Sequence, residues 1–208
     1  MTTETKPLQK AMDFLPKDQK DLKEKSYWKH FFEQDRFAEG FEWYASFEDL
    51  QHYLKQYVKE GQQVLVPGCG NSDLSEKLLT KLGVNGLTVE SIDFEETVVE
   101  KMESSKPKDL KLNFKVGDVT DLKNYQDSQF DSAIDKGTLD AIAVDNEEKT
   151  VAMCQAYFNE AMRVLNNKSG TLMIVSLLQP HVLKIVLDFF IKGENNKHAA
   201  SNLFSVKI

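Results

Sequence analysis

Apolar positions fall first into helical stripes and then into an alternation of strands and helices. Ser26–Gln34 (SYWKHFFEQ) sets Tyr27, Trp28, Phe31 and Phe32 at helical spacing. A second stripe of Phe47, Leu50, Tyr53, Leu54 and Tyr57 follows Ser46 and Asp49, a capping-box pair, and stops near Gly61. Gln63–Pro67 (QVLVP) is a short apolar run between glycines, which predicts a buried strand. Further helices are predicted over Ser72–Leu82, Glu95–Ser104, Glu147–Leu165 and Pro180–Ile191. Strands are predicted over Leu87–Asp93, Leu110–Val116, Phe130–Ile134, Thr171–Leu178 and Asn202–Ile208. Buried, β-branched strands alternating with helices define an α/β, doubly wound, mostly parallel sheet. Ligands of such sheets sit outside the carboxyl ends of the strands, where the strand order switches. The loops after Pro67, Asp93, Val116 and Ile134 are therefore where chemistry is expected.

Composition narrows this picture. The chain has 208 residues and a formal charge of −7, from 26 basic and 33 acidic residues. Among the basic residues only Arg36 and Arg163 are arginines. That balance disfavours a nucleic-acid protein, which works by neutralising phosphates. No run of ~18 apolar residues exists to span a membrane. Cys69 and Cys154 are too few for a disulfide framework or, alone, a zinc site. His30, His52, His181 and His198 lack metal-ligand spacing, so no metal is expected. Residues 1–25 mix lysines with acidic residues and prolines and read as a mobile arm ahead of a domain over 26–208. The arm has neither the apolar segment of a secretion signal nor the acid-poor pattern of a transit peptide, which points to the cytoplasm.

The first predicted strand runs into Pro67-Gly68-Cys69-Gly70-Asn71-Ser72 and then a helix. Gly68 and Gly70 suit a tight turn against a ligand. A dinucleotide fingerprint needs a third glycine at position 73, which is Asp73, so a nicotinamide-dependent oxidoreductase is disfavoured. No Gly-Lys-Ser/Thr follows, which excludes a P-loop. A ligand with ribose and adenine but no phosphate remains, and S-adenosylmethionine, whose sulfonium tolerates an acidic rim, answers that description. Asp93, about twenty residues after the loop, is placed to accept the ribose hydroxyls. Asp118, after the third strand, is placed to accept the adenine amine, with Val119 and Phe94 covering the ring. Singly, each has a plainer reading: a structural turn for the glycines, a solvated carboxylate for Asp93, a turn aspartate for Asp118. Their succession at the ends of consecutive strands favours the cofactor.

These residues resemble those of class I (seven-β-strand) S-adenosylmethionine-dependent methyltransferases with a Rossmann-like fold. More narrowly, the chain is similar to the methyltransferase-like family that includes lysine methyltransferases of translation elongation factor 1-alpha. The resemblance rests on YW at 27–28, FEWY at 41–44, VLVPGCGNSDLSE at 64–76, IDFEETVVEKM at 92–102, DVT at 118–120, FDSAIDKGTLDAI at 130–142, EEKT at 147–150 and RVL at 163–165. It implies S-adenosyl-L-methionine as cofactor, with Gly68 and Gly70 along its methionine part, Asp93 on the ribose, and Asp118 with Val119 on the adenine. It implies that Tyr27, Trp28 and Trp43 close over the methionine end, and that Asp135 and Lys136 stand beside the transferable methyl. Pro67 replaces the family's aliphatic residue, which stiffens the loop.

Transfer from a sulfonium requires an in-line nucleophile more than a general base. Asp135 is the catalytic candidate, orienting the acceptor amine or taking its proton late. Its plainer readings are an ion pair with Lys136 or a cap on the next turn. Lys136 is expected to contribute contacts rather than chemistry, since an ammonium beside a sulfonium is unfavourable. Trp28 and Trp43 read either as core aromatics or as cofactor contacts, and aromatic faces favour methylated ammonium groups. The Asn-Pro-Pro-Tyr type tetrapeptide of amino-methylating nucleic-acid enzymes is replaced by Asp135-Lys136-Gly137-Thr138. A protein-lysine acceptor, such as a translation factor, is the expected substrate. The alternative is a catalytically inactive member kept as a binding or assembly subunit. The family's closing antiparallel hairpin looks incomplete before Ile208, and an open edge strand would invite a partner chain there.

Overall fold

In a computed structural model of the protein, residues 16, 19–34 and 40–192 are described. Most of the expected arm and the strand expected at Asn202–Ile208 lie outside the described residues. Gln19–Lys23 forms a single 3-10 turn. It leads into α1 (Lys25–Phe32) and then α2 (Phe47–Tyr57), which begins with the full Ser46/Asp49 capping box.

The alternating part runs β1 (Gln63–Pro67), α3 (Leu74–Thr80), β2 (Thr88–Asp93), α4 (Glu96–Ser105), β3 (Leu112–Val116), β4 (Ser132–Lys136), α5 (Thr138–Ile142), α6 (Glu148–Val164), β5 (Thr171–Val175) and α7 (Pro180–Phe190). All strand pairs are parallel, in the order β3-β2-β1-β4-β5. The chain is thus α/β and doubly wound, with the switch in order at β1, which pairs with both β2 and β4.

Strand alternation sends successive side chains to opposite faces. Val64 and Val66 of β1 join Phe47, Leu54, Leu78 and Val98 on one face. Leu65 joins Ala133, Tyr157, Phe158 and Val182 on the other. The sheet is therefore the middle of three layers. Central β1 is apolar on both faces, which is why it reads as a continuous hydrophobic run.

Three differences from the sequence reading bear on the site. The helix expected from Ser72 begins at Leu74, because the Ser72 hydroxyl and the Asp73 amide both bond Glu42 instead of continuing the turn. The strand expected at Phe130–Ile134 is shifted to Ser132–Lys136. Phe130 makes only an isolated bridge to Leu165, while Asp135 and Lys136 continue the ladder opposite Ile174 and Val175. Short α5 was not expected at all; five residues carry too little periodicity to declare a helix.

Candidate active site

The pairing of β1 with β4 is confined to Val64↔Ser132 and Leu65↔Ala133, whereas β1 stays with β2 as far as Pro67↔Ile92. The two central strands part toward their carboxyl ends, and Pro67 has no amide to give to a ladder. Thr138, at the start of α5, bridges the gap by donating from Oγ1 to the Pro67 carbonyl at 2.9 Å. Gly68 follows with φ 60°, and a Cβ there would lie 2.0 Å from Thr138 Oγ1. Only glycine fits this position, both for backbone conformation and for space.

Gly70, φ 50°, donates its amide to Asp93 Oδ2 at 2.9 Å, and Glu95 donates to Oδ1 at 3.0 Å. Asp93 thereby ties the glycine loop to the tip of β2. Its carboxyl is 5% exposed, and burial pushes it up to about 6 although both amides pull it down. Each carboxylate oxygen has two lone pairs, so both can still accept from hydroxyls.

Asp118 follows β3. Its Oδ1 accepts from the Thr120 amide at 2.8 Å and hydroxyl at 2.7 Å, and Oδ2 takes no part in this turn. Val119 is buried beside it. Phe94, after β2, carries the Lys25 ammonium 5.5 Å from its ring centroid.

These groups line one cavity of about 540 Å³ at the carboxyl ends of β1, β2, β3 and β4. That volume falls in the range typical of small-molecule sites. Of the residues named from the sequence, Trp28, Trp43, Gly68, Gly70, Asp93, Phe94, Asp118, Val119 and Lys136 line it. Its cover comes from before the sheet: Leu22 and Lys23 of the 3-10 turn, Trp28 and Phe32 of α1, and Phe41, Trp43 and Tyr44. Trp28 stacks on Phe32 at 5.9 Å and meets Trp43 edge-on at 6.0 Å. The cover is tethered by Lys23, whose ammonium pairs with Asp145 at 3.1 Å and bonds the Thr150 hydroxyl.

Two of the expected residues stand elsewhere. Tyr27 does not line the cavity; it packs edge-on against Trp28 at 5.2 Å and supports it from behind. Asp135 is fully buried beneath the cavity floor. Its oxygens accept from the Thr138 amide at 2.8 Å, the Leu139 amide at 3.0 Å and the Tyr157 hydroxyl at 2.8 Å. Burial pushes its carboxyl up to about 7. In this arrangement Asp135 caps α5 and holds the tip of β4 rather than facing an acceptor.

Glu42 was missed by sequence reasoning. Its carboxylate accepts from Ser72 Oγ at 2.9 Å and the Asp73 amide at 2.8 Å, and pairs with Lys136 Nζ at 2.9 Å. Lys136, its side chain 4% exposed, also donates to the Trp43 carbonyl at 3.2 Å. One carboxylate therefore joins the aromatic cover, the amino end of α3 and the tip of β4. It also neutralises the ammonium that lines the cavity. The available signal was an acidic residue set among the aromatics of FEWY.

Fold and cavity together define a doubly wound α/β protein with one deep crevice at its topological switch point. Comparison with known proteins takes this further. Residues 58–200 match the family described as a methyltransferase domain, and the chain belongs to that family. The "eEF1A lysine and N-terminal methyltransferase" of Bos taurus is 38% identical over 180 residues, covering 86% of this chain and 25% of that protein. Its homolog in Drosophila melanogaster is 35% identical over 182 residues, covering 87% of this chain and 26% of that protein. The chain thus spans about a quarter of the length of these relatives. Among solved structures, the [4+2]-cyclase SpnF superposes with a TM-score of 0.50 at 16% identity, over 69% of this chain and 57% of that one, and shows the fold alone. Among the described residues no helix is long and apolar enough to cross a membrane.

Proposed function

We propose that the chain is an S-adenosylmethionine-dependent methyltransferase acting on a lysine of a protein, with elongation factor 1-alpha the first substrate to try. The observation that carries this reading is the convergence of Asp93, Asp118 and the Gly68–Gly70 loop on one cavity roofed by Trp28 and Trp43. The names of the relatives, which specify both lysine and N-terminal methylation of eEF1A, suggest the acceptor, and we take the lysine.

The residues present suit this cofactor. Asp93 has lone pairs for two ribose hydroxyls. Asp118 Oδ2 is available to an exocyclic amine, with Val119 and Phe94 beside it to cover a flat ring. When bound, S-adenosylmethionine supplies a methyl on cationic sulfur, which leaves for a nitrogen lone pair as the S–C bond breaks.

The chain's own contribution is positioning and exclusion of water. Trp28, Phe41, Trp43 and Tyr44 present aromatic faces, which attract a cationic centre and shield it. Glu42 cancels the Lys136 charge, so the sulfonium meets no net repulsion from that side. Asp135 positions α5 and the β4 tip through its three donors and does not itself meet the acceptor. The same reading places the protein in the cytoplasm, beside its substrate.

The test is transfer of labelled methyl from S-adenosylmethionine into purified elongation factor 1-alpha and into a cell extract, with the modified residue mapped by mass spectrometry. Methyl-lysine supports the reading. Label confined to another residue type, or no label, overturns it.

A further inference from the structure

Asp140 lies on α5 between Thr138 and Ala141, which line the cofactor cavity, and does not line it itself. Its Oδ1 accepts from the Ser176 hydroxyl at 3.0 Å. Its Oδ2 is shut off from solvent and is the one buried side-chain polar atom without a hydrogen-bond partner among the described residues. A buried carboxylate oxygen with no donor is costly, and such an atom calls for an explanation such as a catalytic role or a bound group. Burial raises this carboxyl; the Ser176 hydroxyl and then the Leu177 and Asp140 amides pull it back, none of them in hydrogen-bond geometry with Oδ2, and His181, the smallest influence, is committed to the Ala143 carbonyl at 2.7 Å.

The surroundings are unusual in a second, independent way. Tyr44, Ser128 and Leu178 are the described non-glycine residues with left-handed backbone, at φ 65°, 60° and 47°. Such conformations persist where neighbouring structure imposes them and gather at functional sites. Two of the three adjoin Asp140. Leu178 is joined to it through Ser176, whose hydroxyl donates to Asp140 and accepts from the Leu178 amide at 2.9 Å. Burial raises the Tyr44 phenol, with the Asp140 and then the Asp135 charge adding to it, and its ring packs where a Cβ on Gly137 would lie 3.2 Å from Cε2. Tyr44 is 40% exposed and Leu177, whose amide lies near the Asp140 carboxyl, is 61% exposed, so both residues near this group are open to solvent.

We propose that Asp140 is the receptor for the ammonium of the acceptor lysine, reached between Tyr44 and Leu177 at the edge of the cofactor cavity. The inference rests on the lysine-methylation reading above. A lysine matches both parts of the site: a hydrocarbon stem for Tyr44 and Leu177, and a three-donor head for the orphan oxygen. Tyr44 belongs to both walls, since it also lines the cofactor cavity. The strained backbones at Tyr44 and Leu178 are those that must yield for Oδ2 to be reached. Asp140 binds and orients the amine in this scheme.

Asp140→Asn tests the assignment, because it removes the charge and retains an acceptor for Ser176. The full chain, saturated with S-adenosylhomocysteine, is titrated with Nα-acetyl-lysine methylamide and with the norleucine analogue, which lacks the ammonium. The wild type should bind the lysine probe in preference to the norleucine one. The variant should lose about tenfold or more of that preference, the scale of a hydrogen bond to a charged group. Its S-adenosylmethionine affinity should stay within about twofold and its unfolding temperature should hold or rise, since an uncompensated charge is gone. In methyl transfer the loss should appear as a raised KM for the protein acceptor. Equal probe binding by variant and wild type overturns the inference, as does a variant that loses stability and cofactor binding together, the mark of a structural aspartate. Wild-type label on a residue other than lysine overturns the underlying reading. Wild-type methyl-lysine formed equally fast by Asp140→Asn overturns the Asp140 assignment alone.

Discussion

Removing Glu42 should expose how the cover is held to the sheet. Glu42→Ala deletes the partner of Lys136 Nζ and the acceptor for Ser72 Oγ and the Asp73 amide. Lys136, only 4% exposed, would keep the Trp43 carbonyl alone. Breaking a buried ion pair from one side costs ~3–5 kcal/mol. Glu42 is 26% exposed and water reaches it, so ~2–3 kcal/mol is the expected loss here. Lys136→Met leaves Glu42 with Ser72, Asp73 and solvent, and should cost only ~1 kcal/mol. The double variant has no stranded ammonium and should cost ~2 kcal/mol, which gives a coupling of ~1–2 kcal/mol between the two sites. Equilibrium urea unfolding measures each corner of the cycle, followed by circular dichroism and by the fluorescence of Trp28 and Trp43. The two probes should separate in Glu42→Ala, with fluorescence changing first as the cover loosens. Costs that add within ~0.5 kcal/mol, with the two probes coincident, would refute the claim that this pair joins cover and sheet.

Three further outcomes follow from the same geometry. Asp93 and Asp135 keep their protons to about 6 and about 7, above ordinary carboxyl values. The folded chain therefore binds more protons than the unfolded one between about pH 4 and 7, and these two groups make ligand-free stability rise as pH falls through that window. Cofactor affinity should move the opposite way, weakening below about pH 6 as Asp93 takes a proton, and Asp93→Asn should flatten that dependence; unfolding temperature and calorimetry across pH read both. Gly68→Ala forces a Cβ to 2.0 Å from Thr138 Oγ1 at φ 60°, and should cost ~2 kcal/mol or more in urea unfolding and abolish cofactor binding. Lys23→Met removes a partly exposed tether worth ~1 kcal/mol or less, so stopped-flow release of cofactor should quicken by a few-fold while the midpoint of unfolding barely moves.

Much of this arrangement is legible in the residues. Strand β1 reads correctly because a central parallel strand is apolar on both faces, and the Ser46/Asp49 capping box marks its helix by side chains alone. Asp93 and Asp118 sit at strand ends, where strand geometry directs them to a common edge. What was not legible depends on contacts between distant segments. Glu42 acts through residues 30 and 94 positions away, and nothing local distinguishes it from a solvated glutamate. Asp135 and Lys136 extend β4 because Tyr157, the α5 amides and Glu42 satisfy their charges, which no hydrophobicity pattern reports. The same network buries Asp135 outside the cavity lining, whereas its place in the motif implied a position beside the transferable methyl. The orphan oxygen of Asp140 is visible only when its neighbours have been placed around it.

The central claim is that the cavity between the tips of β1, β2, β3 and β4 receives S-adenosylmethionine through Asp93 and Asp118. Calorimetric titration of the full chain at pH 7.5–8 (about 1.5–2 units above the Asp93 value of about 6) tests this most directly. The account predicts one site per chain with affinity on the order of micromolar, weakened by about tenfold or more in Asp93→Asn and in Asp118→Ala while both variants keep their unfolding midpoints within ~1 kcal/mol of the wild type. Heat no different from the dilution blank in the folded wild type, or affinity unchanged in both variants, would contradict it.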